Sequence, residues 1–212
     1  NIRGSGLVGS LGTDGQVFTS AGAGVGAVFE DAGGGGNYVF LNEEVISGTP
    51  NAVTFDGDFT SDYDIYKIYS NFRTSADVEL YARFRRSDSD ITASTYIWNN
   101  RNQYVNSDSG MADYIYGGYH NAYINLSRIH GGDDAGDSSV IELTLWHPLG
   151  TNNWKWLMSH STGYNGNTFN CTTSGLDKSA VTALSGISLY LASSATFAAG
   201  DKFQLYGIKN SA

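Results

Sequence analysis

The clearest pattern along the chain is a strict alternation of apolar and polar positions between Val78 and Arg86. Successive side chains of a strand point to opposite faces, so this period of two predicts a strand with one buried face. Residues 64–70 alternate in the same way, and the stretch Asp62–Arg86 therefore predicts two strands joined by a turn. The apolar row is Val78, Leu80, Ala82 and Phe84, and its polar partner row is Glu79, Tyr81, Arg83 and Arg85.

Further short segments of this kind, separated by turn residues, run to the end of the chain. The best helical candidate, residues 177–184, is short and contains β-branched residues, so we expect at most one helical turn there. We predict an all-β protein, an antiparallel β-sandwich that is jelly-roll-like. A lectin-like sandwich of different connectivity and a barrel are the alternatives. The other predicted strands are 16–19, 38–46, 52–59, 91–99, 119–129, 140–147, 154–160, 187–192 and 203–208.

The first 36 residues differ from the rest because they hold twelve of the 27 glycines. Glycine lets backbones approach closely, which suits either a flexible tether or a tight axis shared by several chains. We therefore predict an extended Gly-rich attachment or oligomerisation segment over residues 1–36 and a sandwich domain over residues 37–212. Because Asn1 rather than Met begins the chain, we expect a processed chain or part of a longer one.

The charge and composition of the chain limit the kinds of binding partner that we expect. The formal net charge is −9, and an acidic surface repels a phosphate backbone. Arg83, Arg85 and Arg86 form the only basic cluster, and their alternating context predicts a solvated strand face. We expect no nucleic-acid partner and, without a run of about 18 apolar residues, no membrane insertion. The single cysteine excludes an intrachain disulfide.

The spacings of common catalytic motifs are missing from the sequence. None of the four histidines lies in a zinc-binding spacing, and no serine lies in a G-x-S-x-G elbow. Cys171 has no nucleophile signature, and Glu142 alternates with an inward apolar row, which predicts a solvent-facing carboxylate. We expect a protein that is not an enzyme, with no catalytic residues and no cofactor. A glycan-degrading enzyme ranks last among the alternatives.

Two acidic loops offer oxygen ligands of the kind that Ca²⁺ prefers. One is Gly-flexible and holds Asp133, Asp134 and Asp137, and the other spans residues 56–62. Neither loop has the full EF-hand spacing, so solvated acidic turns are the competing interpretation. We predict no metal site, with Asp133, Asp134 and Asp137 kept as Ca²⁺ candidates.

Aromatic residues give the best candidate for a ligand surface. Rings can cover the apolar faces of a sugar while nearby polar groups hold its hydroxyls. Packing in the core or at a subunit interface is the competing interpretation, and we favour it for at least one tryptophan of Trp154 and Trp156. The tyrosines around Gly117 and Gly118 are the better candidate for an exposed patch. The candidate glycan patch is Tyr114, Tyr116, Tyr119 and His120.

The segment GTDGQVFTSAGAG at residues 12–24 resembles a G-x-x-G-Q-V-L-T-S-x-G-x-G segment of bacteriophage fibre and other virion proteins. Phe18 stands where leucine is usual, and residues 28–31 occupy the place of a following Trp- or Phe-containing piece. The short segments FTSDYDIYKI (59–68), VELYARF (78–84) and FQLYGI (203–208) are similar to β-sandwich domains of phage tail-fibre and structural proteins.

This resemblance implies a virion component that is oligomeric and often trimeric. Residues 1–36 would join the chains or attach them to other virion proteins, and the sandwich would be displayed for attachment to a host surface, for example to a glycan there. It implies no catalytic residues. A carbohydrate-binding module or lectin is the main alternative, because it shares the sandwich and the aromatic patch without needing an assembly segment.

Overall fold

The computed structural model describes residues 16–19, 28–31, 37–106, 110–129, 137–164 and 168–209. These residues form strands and turns and contain no helix, so none of them could cross a membrane as a helix. The strands are β1 (Gln16–Thr19), β2 (Val28–Asp31), β3 (Tyr38–Val45), β4 (Ala52–Asp56), β5 (Tyr63–Phe72), β6 (Val78–Arg86), β7 (Ser89–Asp90), β8 (Tyr96–Asn106), β9 (Gly110–Asn121), β10 (Ile124–Ile129), β11 (Ser138–Trp146), β12 (Lys155–Tyr164), β13 (Thr168–Asp177), β14 (Gly186–Leu191) and β15 (Lys202–Lys209).

Contacts divide the chain into two units, Asn1–Tyr38 and Val39–Ala212. In the first unit, β1 and β2 pair antiparallel, with Gln16 opposite Asp31. The second unit holds two antiparallel sheets. The larger has the strand order β3-β15-β5-β11-β12-β13-β8-β9, and the smaller has the order β10-β6-β14-β4, with β7 added beside β6. The predicted all-β antiparallel sandwich is confirmed.

The alternation that predicted β5 and β6 is confirmed residue by residue. Leu80, Ala82 and Phe84 are fully buried, and the residues between them are half-buried. The two strands, however, belong to different sheets: β5 pairs with β11 and β15, whereas β6 pairs with β10 and β14. The turn between them therefore crosses from one sheet to the other. The buried apolar side chains of both strands belong to one core. Burial of these apolar side chains supplies the main driving force for folding.

The prediction of one continuous strand over residues 119–129 is wrong. β9 ends at Asn121 in the larger sheet, and β10 begins at Ile124 in the smaller sheet. The chain bends at His120, which has a φ of 61° and lies where the register between β8 and β9 shifts. The guanidinium of Arg83 donates to the carbonyl oxygen of Ala122 over 2.9 Å and holds the chain in the gap between the strands. The two-residue alternation continues through this gap, so it could not reveal the break.

Three other segments carried a weaker sequence signal. The strand predicted over residues 91–99 begins at Tyr96 and runs on to Asn106. The helical candidate at 177–184 forms no helix, because the Asp177 carboxylate accepts hydrogen bonds from the Ser179 backbone and hydroxyl and fixes a turn. β13 was not predicted, since its Ser- and Thr-rich sequence carries little apolar signal.

Candidate functional site

A cleft of about 260 Å³ opens where the inner face of the larger sheet meets the edge strand β10 of the smaller sheet. Four strands contribute its walls. β8 supplies an indole and two amides, β9 a phenol ring, β10 another amide and β6 a carboxylate. The lining residues are Trp98, Asn100, Asn102, Tyr116, Asn125 and Glu79.

Asn100 and Asn102 of the cleft belong to two cross-strand rows that run from the core to the sheet edge. In an antiparallel sheet, directly paired residues project from the same face, so the register defines each row. Both rows begin with core aliphatic residues on β11 and end with half-exposed tyrosines on β9. One row is Leu143, Ser159, Thr173, Asn100 and Tyr116, and the other is Ile141, Ser161, Cys171, Asn102 and Tyr114.

Three asparagine side chains in this cleft have buried oxygens without a hydrogen-bond partner among the described residues. They belong to Asn100, Asn102 and Asn125. Asn100 is only 4% exposed and Asn102 only 6% exposed. A buried amide oxygen that makes no hydrogen bond costs free energy, of the order of 1–3 kcal/mol. Because the same three side chains line the cleft, a polar ligand bound there would lie against amide groups.

Trp98 adds an aromatic wall to the cleft. Its Nε1 atom is buried and has no acceptor among the described residues, while its ring packs against the hydrophobic core. The ring lies directly over Gly118, where an added Cβ atom would be 2.5 Å from Trp98 Nε1. The glycine at position 118 therefore leaves room for the indole beside β9.

Three tyrosines extend the aromatic wall along the rim. Tyr104 and Tyr114 stack with ring centroids 5.5 Å apart and planes inclined by 3°, and their hydroxyls lie 3.3 Å apart. Tyr114 in turn stacks on Tyr116 at 6.1 Å. Tyr114 and Tyr116 are 42% and 43% exposed, so each presents ring surface to solvent.

Glu79 is the carboxylate of the cleft. The hydroxyl of Tyr81 donates to it over 3.3 Å. The pKa of Tyr81 is raised, first by burial and then by the negative charge of Glu79, so this phenol remains a donor. The Tyr81 ring also stacks on Tyr123 at 4.0 Å, which fixes its position beside the cleft.

The structure divides the predicted glycan patch between two faces of β9. Tyr114 and Tyr116 project towards the cleft, whereas Tyr119 pairs opposite Ile97 on the outer face. Tyr119 receives a hydrogen bond from Lys178 over 2.9 Å, and its ring contacts His120 edge-on at 4.2 Å. Only the first two tyrosines can therefore share one ligand in the cleft.

The acidic candidates give no assembled cation site in the described part of the chain. Asp133 and Asp134 lie outside the described residues, and Asp137 is buried at the start of the segment leading into β11. In the other acidic loop, Asp56 forms an ion pair with Arg85 at 3.0 Å, and Asp58 accepts hydrogen bonds from Asn42.

The remaining candidates have partners within the fold. Glu142 projects from the outer face of the larger sheet, as predicted, and forms an ion pair with Lys67. This hydrogen bond lowers the pKa of the Glu142 carboxyl despite the opposing effect of burial. Cys171 is a buried thiol whose Sγ lies 3.5 Å from the carbonyl oxygen of Leu126.

The basic cluster serves the fold as well. Arg85 binds Asp56 and Asp90, and Arg86 binds the fully buried carboxylate of Asp177. Both guanidinium groups are therefore engaged by carboxylates.

Two other clefts have larger volumes. One, of about 400 Å³, lies over β5, β11 and β15, and its polar side chains Lys202 and Gln204 are both hydrogen-bonded to Glu43. The other, of about 370 Å³, lies at the hairpin between β11 and β12 and is lined mainly by tryptophans and amides. The cleft beside β10 differs from the first of these because the buried side-chain oxygens of its three asparagines have no hydrogen-bond partner among the described residues.

Sequence reasoning missed Asn100 and Asn102 because it ended the strand at Asn99, and it placed Trp98 within that strand without assigning it to a site. The segment WNNRN at residues 98–102 places an indole and two amides at alternate positions. With the correct strand boundary, this period of two predicts that all three project from one face. Asn125 and Glu79 come from the other sheet, and no local pattern could have joined them to this group.

Comparison of the chain with known protein families, with curated protein sequences and with solved structures finds no match. The sandwich and the cleft are therefore interpreted from their own geometry.

Proposed function

We propose that this chain is a non-enzymatic virion structural protein, a phage fibre, appendage or decoration protein, whose sandwich attaches to saccharides of a host surface. The observation that carries the attachment role is the cleft beside β10. It is lined by the amides of Asn100, Asn102 and Asn125 and by the ring of Trp98, and this combination of polar and aromatic groups is the chemistry that recognises a sugar.

The virion role is supported by the phage-like segment at residues 12–24. Part of this segment forms β1, which pairs with β2 in a unit of its own. Such a unit is suited to joining chains or contacting other virion proteins. Several copies in one assembly, often a trimer in the proteins that this segment resembles, would convert weak single contacts into firm attachment through multivalency.

The number of carboxylates that line the cleft favours saccharide binding over saccharide hydrolysis. Glycosidases act with a pair of acidic residues on either side of the scissile bond. Among the described lining residues of the cleft, Glu79 is the single carboxylate. A free carbohydrate-binding module remains the second candidate function, because the cleft itself would serve both.

A glycan array tests the attachment role. We expect the intact chain to bind a defined subset of printed glycans and Asn100→Ala to lose at least about tenfold in affinity, or 1.4 kcal/mol. Asn99→Ala is the matched control, because Asn99 is exposed and projects from the opposite face of β8. Equal binding by both variants would contradict the site, and an array without any bound glycan would contradict the ligand class.

Native mass spectrometry distinguishes between the two candidate functions, a virion appendage and a free carbohydrate-binding module. A virion appendage should assemble into a homo-oligomer, most simply a trimer, at micromolar concentration. A monomer at that concentration, with residues 1–36 intact, would favour the free carbohydrate-binding module.

A further inference from the structure

Three of the chain's four tryptophans converge at the hairpin between β11 and β12. Trp146 and Trp156 are directly opposite each other in the two strands, and Trp154 precedes β12. They line a cleft of about 370 Å³ together with Asn152, Asn153 and other residues of the hairpin. This Trp cleft lies on the outer face of the larger sheet, whereas the cleft beside β10 is lined from the inner face.

The rings of the Trp cleft are open to solvent. Trp154 is 50% exposed and Trp156 is 48% exposed. Half-exposed indoles leave a large apolar area in water, and covering that area with a ligand would be favourable. The adjoining amides of Asn152 and Asn153 place donors and acceptors beside the rings.

A buried lysine fixes the shape of the hairpin. The Lys155 side chain is 1% exposed, and its ammonium donates hydrogen bonds to the carbonyl oxygens of Gly150, Asn153 and Val181. Three carbonyls match the three N–H donors of an ammonium. Burial lowers the pKa of Lys155, with a further contribution from the charge of Arg86.

Burying an ammonium is costly, so its three carbonyl partners hold the hairpin firmly in one conformation. The Leu184 backbone amide also donates to the Pro148 carbonyl oxygen over 2.9 Å, and the His147 amide donates to the Asp64 carbonyl oxygen over 2.6 Å. A surface loop tied down at so many points presents its amides and rings in a preorganised arrangement. Preorganisation raises affinity because little freedom is lost on binding.

We propose that the Trp cleft is a second saccharide-binding site, separate from the cleft beside β10. Its ligand is an uncharged pyranoside, whose C–H face lies on Trp154 and Trp156 while its hydroxyls bind Asn152 and Asn153. A glucoside in the β configuration fits this chemistry best, because its equatorial hydroxyls leave broad C–H faces for the rings. The site requires no assembly and is independent of any virion role.

Indole NMR resolves the two sites in one experiment. The ¹⁵N-labelled chain gives at most four indole signals, which can be assigned with single Trp→Phe variants. Methyl β-D-glucopyranoside, methyl β-D-galactopyranoside and N-acetylglucosamine are titrated to about 10 mM, enough to detect millimolar binding. We expect saturable shifts of the Trp154 and Trp156 signals with at least one of them.

Trp98 reports independently on the cleft beside β10. A shift of its signal alone would place all saccharide binding in that cleft and overturn the second site while leaving the proposed function intact. The absence of saturable shifts at Trp154 and Trp156 with every probe would also overturn the second site.

Variants that keep the rings distinguish ligand binding from loss of folding. Asn153→Ala should weaken the titration at least about fivefold while the other backbone signals remain in place. Tyr164→Ala is the matched control, because Tyr164 is 49% exposed at the far end of β12 and lies outside the Trp cleft. Equal affinity of Asn153→Ala and Tyr164→Ala would contradict the assigned role of the amides.

Discussion

Asn100 lies directly opposite Tyr116 in the pairing of β8 with β9, so a buried amide and a half-exposed ring share one wall of the cleft. The amide belongs to the sheet interior and the ring to its edge. A ligand that reached the amide would pass over the ring. Within this wall, the pair therefore joins the buried amides of the cleft to the exposed tyrosine rings at its edge.

Substitution of the two exposed tyrosines on opposite faces of β9 should have different effects. We expect Tyr116→Ala to weaken saccharide binding in the cleft at least about tenfold, because the ring forms part of its wall. Tyr119→Ala should leave the affinity unchanged, since Tyr119 projects from the outer face. Titration of both variants with a glycan selected on the array checks this, and an equal loss in both would contradict the division of the predicted patch.

Substitution of Gly117 and of Gly118 by alanine should also have different effects on stability. A Cβ atom at Gly118 would be closest to Asn121 Nδ2 and would lie 2.5 Å from Trp98 Nε1, whereas at Gly117 the nearest atom would be the Trp98 carbonyl oxygen at 3.3 Å. We expect Gly118→Ala to displace both the Asn121 amide and the indole and to cost about 1–3 kcal/mol of unfolding free energy, as overpacking does. Gly117→Ala should cost less. Urea unfolding followed by Trp fluorescence measures both, and a larger loss at Gly117 would show that the indole is placed differently.

Loss of the buried ion pair between Arg86 and Asp177 should destabilise the fold strongly. Asp177 is completely buried, and its carboxylate lies 3.0 Å from the Arg86 guanidinium. Arg86→Ala leaves this carboxylate without its cation, and such losses cost about 3–5 kcal/mol. Arg101→Ala is the control, because the Arg101–Asp113 pair is exposed and should contribute little. Similar denaturation midpoints for both variants would contradict the importance of the buried pair.

The pair formed by Glu142 and Lys67 should give a pH-dependent contribution to stability. Lys67 lowers the pKa of Glu142 below its ordinary value of 4.5 in the folded chain. The contribution is therefore present above that value and is lost as the pH falls through the lowered pKa.

We expect Glu142→Gln to reduce the unfolding free energy slightly at pH 7, by less than about 1 kcal/mol because the carboxylate is partly exposed. The difference between variant and parent should shrink at about pH 3. Urea titrations at both pH values provide the measurement, and a difference that stays constant would contradict the assignment.

The fold class could be predicted from sequence because sheet burial imposes a period of two on each strand. The rows around Leu80 and Leu143 carry that period clearly. Pairing could not be predicted in the same way: β5 and β6 are adjacent in the chain but lie in different sheets, since alternation states only which face is buried. The bend at His120 was hidden for the same reason.

The candidate site was only partly visible in the sequence. Tyr114 and Tyr116 were identified from their aromatic spacing, but the amides beside them face the interior of the sandwich. A polar residue at an inward position breaks the apolar alternation that marks a strand, so Asn100 and Asn102 weakened the signal that would have located them. Their meeting with Asn125 depends on contact between the two sheets.

The most direct test replaces the Asn100 side chain by an apolar side chain of similar size and measures glycan binding and the free energy of unfolding together. We predict that Asn100→Leu will reduce glycan binding at least about tenfold while the unfolding free energy stays equal or rises by about 1 kcal/mol, because an unpaired buried oxygen is removed. Retained glycan binding in this variant would contradict the cleft as the saccharide site. A large loss of stability would show instead that the amide serves the fold.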